Sequence, residues 1–309
     1  MSMSDLARQG ISHLPLRTRR RVRNVLVKNL PPRYRPTVRQ VLGVCAPWEP
    51  AFDFTPRRAL EPGEKAGPPD FVGIASQGAG TTRWHKLILA HPGVSRPAID
   101  KELHYFDRFG SLPFGPEDVE RYHSWFPRRE GMLTGEWTPT YFNTPGTAPL
   151  LKAAAPDCRL ILLFRDPVER FRSGVNHASV MGLSNRYSTQ RQIGRGFYDR
   201  YLSEWLECFD EEQLLFLQYE RCVEDPEGQL KDTYRHLGLT DYRPAQLQQH
   251  AGTRTDKSVA LDPDVKRRLV AIYEPDVLAL SKRLPGLDLS LWPNFSHLAE
   301  NARTSTRTP

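Results

Sequence analysis

The stretch DFVGIASQGAGTTRW, residues 70–84, constrains the fold of this chain more than any other. A short apolar run bounded by turn residues reads as a buried parallel strand. It passes through a glycine-rich turn, SQGAGTT, into a segment that carries Trp84, Leu87 and Ile88 at helical spacing. The same pattern recurs at RLILLFRDPVERFRSGVNH (159–177), and again where LLFLQYE (214–220) precedes DPEGQLKDTYRHLGL (225–239). KELHYFD (101–107) reads as a short strand, and 131–142 as strand plus loop. Helical patterns fill 116–126, 147–156 and 198–209. Such alternation predicts an α/β fold: a P-loop-like, three-layer α/β/α architecture with a central parallel sheet flanked by helices.

Charge divides the chain. Residues 1–40 hold ten Arg and Lys against the single acid Asp5, so they account for more than the whole formal charge of +7, and the remainder is slightly acidic. The expected organisation is a basic helical arm (1–43), a proline-rich linker (44–69), the α/β domain (70–295) and a polar tail (296–309). The arm, with its basic residues between 8 and 39, reads as a solvated face, an anionic-surface contact or a subunit contact, a homodimer included. No nucleic-acid motif accompanies it, so no nucleic-acid partner is expected. Cys45, Cys158, Cys208 and Cys222 are scattered, without metal-ligand spacing. With no apolar leader near the N-terminus, the expectation is a cytoplasmic protein with reduced thiols.

Two segments carry the chemistry. In SQGAGTT, Gly78 and Gly80 allow a tight turn, and amides at a helix start together with the Thr81 and Thr82 hydroxyls can donate to phosphate oxygens. In RDPVERFRS, Arg165 stands at the carboxyl end of a buried strand and Ser173 lies two helical turns on. Ligands of open α/β sheets sit outside that end, so the pair suits a second phosphate. KELHYFD adds Glu102 and, at i+2, His104, two candidate general bases on one side of an extended segment. GEWTPTYF adds Thr138 and Tyr141 on a stiff polar loop end. Tyr122, Trp125 and Phe126 are either core or a stacking surface for a sugar.

These segments, in this order, resemble the PAPS-dependent sulfotransferases (PAPS is 3′-phosphoadenosine 5′-phosphosulfate). The likeness is nearest to the bacterial and Golgi-type carbohydrate branch with its heparan sulfotransferase domains, and it spans residues 70–292. The resemblance implies PAPS as donor, PAP as product and no metal. It implies that Gln77, Gly78, Ala79, Gly80, Thr81 and Thr82 hold the 5′-phosphosulfate, and that Arg165 and Ser173 hold the 3′-phosphate. Glu102 would be the catalytic base, with His104 as understudy. Lys101, Thr138, Tyr141 and His177 would meet the acceptor, a small molecule, glycan or glycolipid. Arg254 and Lys257, in HAGTRTDKSVALDP, would close over the nucleotide.

The chain departs from that family at two points, one being the absence of the heparan branch's usual glycine–arginine–tyrosine pattern from the segment that holds Arg254 and Lys257. At the other, relatives carry lysine directly before AGTT, where this chain has Gly78. Arg83 or Lys86 on the following helix is the expected replacement, which places Arg83 among the catalytic candidates. The alternative is a PAPS- or PAP-binding pseudoenzyme weakened by the missing charge. A third reading, a P-loop kinase, is disfavoured, because the loop lacks the Lys-Ser/Thr pair and its spacing.

Overall fold

The computed structural model describes residues 59–99, 101–109, 113–180, 186–248 and 260–299. The basic arm, most of the linker, the end of the polar tail, and Arg254 and Lys257 lie outside these. The chain divides into two units, 1–55 with 108–115, and 56–107 with 116–309. Of the first unit only a few residues are described, and there the Phe109 and Phe114 rings meet edge to face, 5.0 Å apart.

The second unit holds the α/β body. In chain order its elements are β1 (Glu64–Ala66), β2 (Phe71–Ala75), α1 (Thr81–Leu89), α2 (Pro116–His123), β3 (Pro127–Arg129), β4 (Gly135–Trp137), α3 (Thr147–Ala154), β5 (Arg159–Phe164), α4 (Pro167–Val180), α5 (Arg186–Gly194), α6 (Tyr198–Cys208), β6 (Leu214–Gln218), α7 (Tyr219–Glu224), α8 (Pro226–Leu237) and α9 (Pro263–Arg283). Strands β4-β2-β5-β6 form one parallel sheet in that order. Helices flank it, as the alternation predicts.

The sheet is buried on both faces because its strands are apolar at nearly every position. Phe71, Ala75, Ile161, Leu163 and Leu217 share one core with Trp84 and Ile88 of α1 and Leu230 and Tyr234 of α8. On the opposite face Phe164 packs against Tyr198 of α6 and against Phe142, with ring centroids 5.1 and 5.6 Å apart. Burying each such side chain contributes about 1.5–3 kcal/mol, which lets tertiary packing set the fold. Tyr122, Trp125 and Phe126 are buried and belong to the core.

Three segments differ from expectation. KELHYFD is not a strand: Glu102 and His104 adopt left-handed backbone angles, with φ of 59° and 54°, and Phe106–Arg108 forms a 3-10 turn. The segment read as linker contains β1, paired antiparallel with β3. Residues 263–283 form a long helix, α9, for which the sequence pattern gives no expectation.

Candidate active site

The glycine loop leaves the carboxyl end of β2 and ends at the N-terminus of α1. Gly78 and Gly80 have φ of 99° and 86°, backbone that side chains other than glycine adopt only under strain. A Cβ on Gly80 would meet the Tyr219 ring at 2.5 Å, and one on Gly78 would stand 3.1 Å from the Arg170 carbonyl oxygen and 3.5 Å from the Ser173 hydroxyl. Ser173 therefore lies against the loop. Arg165 donates to the Gly78 carbonyl at 3.0 Å while its guanidinium covers the Tyr219 ring. One distant residue ties the start of the loop twice: the Ser76 hydroxyl donates to the Arg195 carbonyl at 2.6 Å, and the Arg195 guanidinium donates to the Gln77 side-chain oxygen. Burial lowers the Arg195 pKa to about 10, so the group is charged at neutral pH. The Nε atoms of Arg165 and Arg195 are buried without a hydrogen-bond partner.

Lys101, Glu102 and His104 form the opposite wall. The Lys101 ammonium reaches the Thr81 hydroxyl at 3.2 Å, the Thr82 hydroxyl at 3.0 Å and Glu102 Oε1 at 2.8 Å. The other Glu102 oxygen lies 3.6 Å from His104 Nε2, and His104 Nδ1 meets Asp107 Oδ2 at 2.7 Å. Thr140 donates to the same Asp107 oxygen at 2.7 Å. These contacts, with the Glu102 amide donating to the Trp137 carbonyl at 3.2 Å, offset the left-handed backbone cost of about 1–2 kcal/mol per residue. Hydrogen bonding to His104, then the nearby Lys101, holds the Glu102 carboxyl down at about 2. Asp107, then Glu102, raises His104 to about 9. Glu102 is a carboxylate and His104 an imidazolium at neutral pH, so His104 donates and is not the spare base expected of it. His85, on the buried face of α1, is lowered to about 4, first by burial and then by Lys101, and is neutral.

The model of the sulfotransferase domain family matches residues 68–261, well over half of the 309-residue chain, and both walls fall within it. The chain belongs to the sulfotransferase domain family. It is 32% identical over 198 residues to heparan sulfate glucosamine 3-O-sulfotransferase 3A1 of Mus musculus, covering 58% of this chain and 48% of that protein. Heparan sulfate glucosamine 3-O-sulfotransferase 6 of Mus musculus is 29% identical over 230 residues, covering 68% and 65%. The chain thus spans about half the length of the first of these curated relatives and under two thirds of the second. The crystal structure of a sulfotransferase from Alicyclobacillus acidocaldarius superposes with a TM-score of 0.61 at 22% identity, covering 73% of this chain and 99% of that one. At that identity the likeness speaks to the fold alone.

Within this sulfotransferase domain several expected contacts move. Thr138 and Tyr141 are fully buried, and their hydroxyls donate to Glu136 at 2.5 and 3.1 Å, so neither faces an acceptor. They hold the active-site wall from behind, since Tyr141 also accepts from the Tyr105 amide at 2.8 Å. Burial raises the Glu136 carboxyl to about 7 despite three donated hydroxyl hydrogen bonds. Arg83 donates to the Leu247 carbonyl at 2.9 Å and Lys86 is exposed, so neither is seated at the glycine loop. Ala79 is buried and offers the loop only its backbone; His177 is exposed on α4. Sequence reasoning missed Arg195 and Asp107. A cation in an anion-seeking sheet protein was the only available signal for Arg195. For Asp107 it was an acid three residues after His104.

The ion pairing gives a pH prediction. His104 has its pKa raised in the folded state, so its contribution to stability is complete below 6.5 and is lost as pH rises toward 9. His104→Gln should flatten the fall in stability between pH 6.5 and 9.5, by about 1 kcal/mol after solvent screening of this half-buried group, as followed by thermal melting. Parallel curves for the two proteins would show that the ion pairs add nothing.

Proposed function

We propose that this chain transfers a sulfuryl group from PAPS to a hydroxyl or amine of a small-molecule, glycan or glycolipid acceptor. The observation that carries this reading is the facing of the two walls. Threonine hydroxyls at a helix N-terminus stand one ammonium away from an ionised carboxylate. The sequence likeness to heparan sulfate glucosamine 3-O-sulfotransferases supports it.

The residues present suit the donor. Guanidinium groups whose Nε atoms are buried and unpartnered crowd a loop in left-handed conformation, an environment that calls for an anion. The loop amides from Gly78 to Thr82 and the two threonine hydroxyls would hold the 5′ end, and Arg165 and Ser173 the 3′-phosphate. PAPS supplies the activated sulfuryl group. Glu102 takes the proton of the acceptor as its oxygen or nitrogen bonds to sulfur. The bond from sulfur to the nucleotide breaks, and its electron pair leaves on the 5′-phosphate. Fixed charges and positioning supply the rate enhancement in such an in-line transfer.

Calorimetric titration with PAP and with adenosine 5′-phosphate tests the donor site. The bisphosphate should bind at least about tenfold more tightly, from about 1.5–3 kcal/mol of charge-assisted hydrogen bonding. Arg165→Ala should erase that difference and leave the monophosphate unaffected. Equal affinity of the two nucleotides for the unaltered protein would remove the assignment of Arg165 and Ser173.

A further inference from the structure

We propose that Lys101 supplies the cation that the glycine loop itself lacks, reaching it from the opposite wall and binding the 5′ end of the donor. The proposal rests on the sulfotransferase reading and assigns one side chain within it. Phosphate-binding loops pair backbone amides with an ammonium that reaches the phosphates. This loop cannot carry such a group at position 78 in its present form. The backbone there is left-handed, and the first side-chain atom would press on the Arg170 carbonyl at 3.1 Å. Arg83, seated on the Leu247 carbonyl, and the exposed Lys86 do not provide it either.

Lys101 does reach the loop. Its three N–H donors have three acceptors, the Thr81 and Thr82 hydroxyls and Glu102 Oε1, at 3.2, 3.0 and 2.8 Å. A hydroxyl that accepts from an ammonium keeps its own hydrogen to donate elsewhere, as an anion at the loop would require. One side chain thus places positive charge beside the site and orients two neutral donors. The side chain is only 17% exposed, which keeps its field from being fully screened by water. His85 behind it is neutral and does not compete. Glu102 has a left-handed backbone, and its carboxylate lies 2.8 Å from the Lys101 ammonium. The cation on the donor side and the base on the acceptor side are therefore consecutive residues.

Binding distinguishes this role from a simple ion pair with Glu102. Titrations would use PAP, adenosine 5′-phosphate and adenosine 3′-phosphate with the full chain, Lys101→Met, Lys101→Arg and Arg165→Ala. Lys101→Met should weaken PAP and the 5′-phosphate each by about 10- to 50-fold, the loss of one well-placed charge-assisted contact, and leave the 3′-phosphate within twofold. Lys101→Arg should recover most of the loss, and Arg165→Ala should show the reverse preference. Unchanged melting of each variant would establish that the fold is intact. If the unaltered protein binds PAP and Lys101→Met binds it equally well, the proposal is overturned while the donor assignment stands. If the unaltered protein binds none of the three nucleotides, the sulfotransferase reading fails and this one with it.

Discussion

Replacing Glu102 with glutamine is expected to lower the rate of sulfuryl transfer by about three orders of magnitude, the typical worth of a positioned general base. The amide keeps the size of the carboxylate and an oxygen that can face Lys101, so PAP affinity should stay within about threefold. In the absence of donor the carboxyl is held near 2 by His104 and Lys101, which makes it a weak base. Negative charge arriving at Thr81 and Thr82 draws on the same ammonium, loosens its hold on Glu102 and raises the basicity of the carboxylate where a proton must be accepted. Single-turnover rates with saturating PAPS separate chemistry from binding. A variant that turns over within tenfold of the unaltered protein would show that another group takes the proton.

The largest effect on stability is expected at Gly73, in the middle of β2. Gly73 pairs with Trp137 of β4, and a Cβ there would fall well inside van der Waals contact of the fully buried indole. Nothing flexible can give way, because Trp137 is packed in the main core with Trp84 and Phe71. Gly73→Ala should cost at least about 3 kcal/mol, at the upper end of overpacking penalties. In a domain of this size that lowers the melting temperature by roughly 6–12 °C. The glycine loop begins directly after β2, so PAP affinity should fall with stability. Thermal unfolding followed by calorimetry measures the first effect; a melting temperature within about 2 °C of the unaltered protein would show that β4 can move away.

Most of the scaffold was legible because its signals are local. The apolar runs at 71–75 and 160–164 are buried on both faces, and they read as strands from composition alone. Gly78, Gly80, Arg165 and Ser173 lie close together because a strand end and a helix start fix where their backbone goes. Arg195 was not legible, since it reaches Gln77 across 118 positions and no local pattern encodes that distance. The helix over 263–283 was hidden for a related reason. Pro275 interrupts its pattern, and what holds it is the burial of Leu269, Tyr273, Val277 and Leu280.

By itself the sequence determined the strand–helix alternation, the parallel sheet, the glycine loop and the family, because each depends on residue type and short spacing. The tertiary structure alone decided how the site is wired. It turned Thr138 and Tyr141 inward to Glu136 and sent Arg83 to the Leu247 carbonyl. It bent Glu102 and His104 into left-handed backbone, where the strand reading would have left them extended. That bend carries Lys101 to the threonines. The physical reason is that a long polar side chain goes where its hydrogen bonds can be completed, and those partners come from other parts of the chain.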